Sequence, residues 1–178
     1  MVKTGSLHVA LLLGASMWAG CATAQDTDTL TVQSQVAPFC SELTVSSTPM
    51  DLGTLTGPTG QIVPNFSGAA ESQRQLAASF YCNAPATVTI KATPLTTPNS
   101  TTDTSSFTSR VDYTATLDWQ DVHGDVSSTV ANGAVIAVPQ ANIGPMKLTL
   151  SDPAVANNLR PVAGTYSGQV TLTVALAQ

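Results

Sequence analysis

A histidine set among carboxylates is the first place to look for acid–base or metal chemistry, and His123 lies in Asp118-Trp119-Gln120-Asp121-Val122-His123-Gly124-Asp125. Three carboxylates and an imidazole could hold a cation. Their spacing lacks the alternating oxygen ligands, the glycine at the sixth position and the distant glutamate of a calcium loop. His8 and His123 are the chain's two histidines, and once His8 leaves with the leader described below, neither a two-histidine zinc site nor a choice of bases for a serine nucleophile remains. The stretch reads better as a polar turn between strands. Phosphate-cradling, dinucleotide and nucleophile-elbow glycine patterns do not occur. A carboxylate pair for sugar hydrolysis does not stand out from scattered surface acids. Trp119, Phe107 and Tyr113 could line a carbohydrate site, although aromatics on or near one strand more often belong to a core. The expectation is a chain without catalytic residues, metal ligands or cofactors.

The cysteines carry a different chemistry. Lys3, the apolar run Val9 to Ala15 and the Ala22-Thr23-Ala24 site form an export leader over residues 1–24, cut before Gln25. A competing reading attaches lipid at Cys21, after Ala19-Gly20. Export places Cys40 and Cys82 in an oxidising compartment as an even pair, so they are expected to bond to each other, two free buried thiols being the alternative. About 154 residues follow the leader, enough for one domain. Five bases (Arg74, Lys91, Arg110, Lys147, Arg160) against eleven acids leave this part at about −6, and a basic footprint for nucleic acid is absent. Later segments fall short of the roughly 20 apolar residues that span a bilayer as a helix.

The elements that must position anything in this chain are strands. Leu30, Val32, Ser34 and Val36 alternate with Thr31, Gln33 and Gln35, and Pro38 ends the run just before Phe39-Cys40. Further runs predict strands over 42–45, 50–55, 75–82, 86–92, 111–119, 134–138, 146–150 and 166–176. Turn residues punctuate them, among them Gly57-Pro58-Thr59-Gly60, Asn132-Gly133 and Gly144-Pro145. The segment Ala69 to Ala78 could also form a short helical turn. Many short strands predict an all-β, immunoglobulin-like sandwich. The last of them is the most regular, with Val170, Leu172, Val174 and Leu176 on one face, and left on an edge it would template pairing with another chain.

Four pieces in this order resemble a known family: the alternating extension ending at Phe39-Cys40, the run Met50-Asp51-Leu52-Gly53-Thr54-Leu55, the run Phe80-Tyr81-Cys82 with the strand after it, and Ala163-Gly164-Thr165-Tyr166-Ser167-Gly168-Gln169-Val170 leading into the last strand. The resemblance is to bacterial chaperone-usher pilins, within them to spore coat protein U-like subunits of the archaic type, over nearly all of residues 25–178. It implies an incomplete pilin-type sandwich over 39–178 and a donor-strand extension over 25–38. Leu30, Val32, Ser34 and Val36 would then enter a neighbouring subunit's groove. Tyr166, Val170, Leu172, Val174 and Leu176 would form the edge that receives the chaperone or the next subunit. The implied partners are neighbouring copies, a periplasmic chaperone and an outer-membrane usher, and the implied place is a surface pilus of a Gram-negative bacterium. Two rivals remain: a self-complete secreted coat or matrix protein whose N-terminal strand pairs within its own chain, and a carbohydrate-binding module around Trp119.

Overall fold

The computed structural model describes residues 29–45, 48–66 and 72–177. The leader, its cleavage site and the lipid-attachment reading at Cys21 lie outside these residues. The chain divides into two compact units, Met1–Gln35 and Val36–Gln178. In the first, residues 29–35 carry neither helix nor strand, and Leu30 and Val32 are 89% and 84% exposed.

The second unit is all-β. In chain order its strands are β1 (Gln73–Cys82), β2 (Ala86–Ala92), β3 (Leu95–Thr96), β4 (Phe107–Thr108), β5 (Arg110–Trp119), β6 (Val122–Ser127), β7 (Ala134–Val138), β8 (Asn142–Ala154), β9 (Arg160–Pro161) and β10 (Val170–Leu176). One antiparallel sheet runs β1-β8-β5-β3, with β6 also paired to β5; a second runs β10-β2-β7. β4 and β9 form a short parallel pair.

Period-2 alternation explains why these segments are strands and which way they face. On β5, Val111, Tyr113, Ala115, Leu117 and Trp119 are buried, while Asp112, Thr114, Thr116 and Asp118 point toward solvent. β2 does the same with Ala86, Val88, Ile90 and Ala92, and β8 with Met146, Leu148 and Leu150. The inward residues of both sheets join in one hydrophobic cluster. At its centre Trp119 is fully buried, stands edge-on to Phe80 at 5.0 Å, and donates its indole N–H to the Phe80 carbonyl at 3.1 Å. The ring's one polar group is thus paired inside the core, as burial requires.

Two local expectations are corrected. Gln73 to Ala78 is strand, not helical turn: Leu76 and Phe80 both reach the core from β1, and pairing with β8 overrides the helix propensity of Gln, Arg and Ala. Residues 42–45 and 50–55 alternate like strands but belong to none. The polar stretch at 118–125 does hold a turn between strands, as expected. It is a hairpin whose turn is Gln120-Asp121, followed by β6. Gly124 hides this strand from a sequence pattern. A Cβ there would fall 2.3 Å from the Ile136 Cδ1 of β7, so any side chain at this inward position requires Ile136 to move.

Cys40 and Cys82 are bonded, with their Cα atoms 4.0 Å apart. The linkage is embedded in a short clasp. Ser41 N–H donates to the Tyr81 carbonyl at 2.8 Å, and Asn83 N–H to that of Phe39 at 2.9 Å. The Asn83 side chain accepts from Phe39 N–H at 2.6 Å and donates to the Ala37 carbonyl at 3.0 Å. Residues 37–41 are therefore fixed to the end of β1 although no regular strand includes them. The bond closes a separation of 42 residues, for which the chain-entropy model gives about 4 kcal/mol. Cys40→Ser is expected to lower the thermal midpoint markedly and cut the yield of folded protein, read by calorimetry and by soluble yield. An unchanged midpoint would remove the bond's structural role.

Candidate functional site

A groove of about 880 Å³ opens in the second unit between two extended segments. Thr48 to Thr56 forms one wall and Pro161 to Val170 the other; Leu76, Leu95, Tyr113, Leu148 and Leu150 of the two-sheet core form the floor. Each floor side chain is buried yet reaches the groove, which makes it a place where the core itself is open at its edge.

The first wall is tied at both ends. Arg74 of β1 donates to the carbonyl oxygens of Thr48 and Pro49, the latter at 3.0 Å. Farther along, Val63 N–H donates to the Leu55 carbonyl at 3.0 Å, and Thr56 bridges to Ile62. Met50, Leu52 and Leu55 pack against the core but stay only half-buried. Asp51 and Arg74 are the charged lining residues, and Arg74 faces the wall's own carbonyls.

The second wall leads into the edge strand. The segment read as one strand over 166–176 is two pieces here: an isolated bridge at Ser167 to Thr96, then β10 from Val170. The break has a backbone cause. Pro94 has no N–H to offer, and Gly168 passes so close that a Cβ there would sit 2.8 Å from the Thr93 carbonyl oxygen and 2.9 Å from that of Pro94. Tyr166 anchors the turn. Its hydroxyl lies 3.0 Å from the Val162 carbonyl oxygen and 3.1 Å from that of Thr108 and donates its one proton there. Burial raises its pKa, and the bond to Val162 opposes the rise.

β10 pairs along its whole length with β2 and ends its sheet, so among the described residues no strand pairs with its other side. Val170, Leu172 and Val174 face the core but are half-buried, whereas the facing residues of β2 are fully buried. Leu176 is 36% exposed. Of the five residues expected to form the receiving edge, Tyr166 and Val170 line the groove; Leu172, Val174 and Leu176 continue the same edge beyond it.

Other expected sites come apart. Trp119 and Tyr113 are buried core residues, and Phe107 lies half-exposed on β4, so the three do not form one sugar-binding platform. Asp118 and His123 are cross-strand partners on the β5–β6 hairpin, with Nδ1 and Oδ1 2.7 Å apart and the imidazole largely exposed. Neither lines the groove. Among the described residues no three histidines, cysteines or acids gather as a metal site. The wall over 48–56 and the floor of the groove were missed by sequence reasoning. The wall's signal was present in Met50, Leu52 and Leu55, an alternating apolar run that finds no strand to join.

Compared with family models, with curated proteins and with solved structures, the chain gives no match.

Burial pushes the Tyr113 phenol from 10.0 up to about 12. The folded state then holds its proton more tightly than the unfolded chain does. The stabilisation is complete below the ordinary pKa and is lost as pH rises from 10.0 toward about 12. Denaturant titrations across this range should show stability falling in the native protein and falling less steeply in Tyr113→Phe. Identical slopes would mean that the groove floor does not shield the phenol.

Proposed function

We propose that this protein is a structural subunit of a surface pilus, assembled by exchange of β-strands, and that it performs no catalysis. The observation that carries the reading is the pairing of opposites within one chain. A groove floored by core side chains opens beside a sheet edge that no described strand covers, and the exposed alternating segment Leu30, Val32, Ser34 and Val36 joins no sheet. Insertion of such a segment supplies backbone hydrogen bonds for register and apolar side chains for the groove, which is β-augmentation. Burying Leu30, Val32 and Val36 fully would contribute roughly 4 to 9 kcal/mol before ordering costs. Ser34 suits a shallow position where two backbones approach.

The resemblance to archaic chaperone-usher pilins extends this reading to an immunoglobulin-like incomplete sandwich exported through the periplasm. In it a chaperone covers the groove first and an outer-membrane usher directs replacement by the next copy's extension. Donation from head to tail is heterologous, so it propagates as an open filament and not a closed ring. A repeating shaft subunit that supports adhesion and biofilm formation follows.

The test is deletion of residues 25–38. The intact protein, purified as its native assembly, should run as a ladder of multimers on unheated gels, and the deletion should abolish the ladder. A synthetic peptide of residues 29–37 added to the deleted subunit should raise its unfolding temperature, and the same peptide carrying Val32→Asp should bind at least tenfold more weakly, consistent with about 1.5–3 kcal/mol for one buried aliphatic. A deleted subunit that still polymerises overturns the reading. A full-length protein that remains a cooperatively folded monomer without any chaperone favours the self-complete coat or matrix protein.

A further inference from the structure

At the end of the second unit where residues 37–41 are clasped, three large apolar side chains lie side by side in solvent. Phe39 is 52% exposed, Tyr81 40% and Ile143 63%. The rings of Phe39 and Tyr81 are 6.0 Å apart between centroids. Tyr81 and Ile143 are directly opposite one another on β1 and β8, so they share a face. Together with Ala141 they flank a shallow hollow of about 250 Å³. We infer that this strip is a second contact between consecutive copies of the chain: it seats the body of the copy whose groove holds this copy's extension. The inference rests on the proposed strand exchange and adds to it a surface that the exchange does not require.

The occupant follows from the covalent tether. The last donor position, Val36, is separated from Phe39 by Ala37 and Pro38 alone. Three residue steps span at most about 11 Å even when fully extended. Two features also fix the tether: Asn83 grips the Ala37 carbonyl and the Phe39 N–H, and the proline ring restricts φ. A body that encloses Val36 therefore has its surface within about 11 Å of Phe39, and that body is another copy of this chain. Charge agrees. Without its leader each copy is net acidic at about −6, so two copies repel over most of their surfaces. Phe39, Tyr81 and Ile143 offer an uncharged approach. The strip is also rigid, since the Cys40–Cys82 bond and the Ser41–Tyr81 backbone bond tie its two halves together. A rigid apolar contact beside a short tether would set the angle between successive subunits.

Hydroxyl-radical footprinting of the native assembly tests this with an internal reference. Val135 on β7 is 69% exposed, close to Ile143, and belongs to neither the strip nor the groove. After correction for intrinsic reactivity, Ile143 and Phe39 are expected to be oxidised several-fold more slowly than Val135. Equal rates overturn the inference. Ile143→Asp provides the second measurement. Because the side chain lies outside the core, the variant should fold and retain the multimer ladder, while its fibres bend more sharply in electron micrographs and dissociate several-fold faster in denaturant. Fibres of unchanged stiffness and dissociation rate also overturn it. Failure of strand exchange itself is read separately, as persistence of the ladder after deletion of residues 25–38.

Discussion

A β-strand presents hydrogen-bonding groups on both of its sides, and the arrangement around β10 turns on this. One side of β10 is matched residue by residue to β2, from Val170 opposite Ala92 to Leu176 opposite Ala86. On the other side no described residue forms a strand, and the apolar face below it is half covered. A long regular edge of this kind is a template for another chain. Here the neighbouring wall is not a strand either: residues 50–55 alternate in side-chain character without a ladder to belong to. The groove between them is floored by buried residues of the same core that Trp119 and Phe80 hold together.

The clasp at Cys40 and Cys82 serves two purposes in this architecture. It ties residues 37–41 to β1 without enlisting them in a sheet, and in doing so it defines where the N-terminal extension begins. The side chain of Asn83 adds to the sulfurs, because it meets both an N–H and a carbonyl of the departing chain. Phe39 and Tyr81 are brought together by the same fixation. Their exposure follows from the alternation of β1: Phe80 and Cys82 point into the core, so Tyr81 between them cannot.

The candidate site was legible in parts. The alternation of the last strand and the disulfide pair were legible because each is written in local sequence, the first in side-chain periodicity and the second in an even cysteine count after residue 24. The floor of the groove was not, since it gathers Leu76, Leu95, Tyr113, Leu148 and Leu150 from four strands distant in the chain. The β5–β6 hairpin was half legible. Its charged residues announced a turn, but the strand leaving it has glycine at an inward position that Ile136 fills from β7.

The amino-acid sequence by itself determined the all-β class, the inward faces of β2, β5, β8 and β10, and the bonded cysteines, because side-chain periodicity and composition are properties of neighbours along the chain. It also marked residues 30–36 and 50–55 as strand-like. Only the tertiary structure decided that 50–55 remains without a ladder, that β10 stops at an edge, and that the strand over 166–176 breaks at Gly168. Alternation specifies the face a segment shows, whereas being a strand requires a partner's backbone at hydrogen-bonding distance, and partners are assigned only by the packed fold.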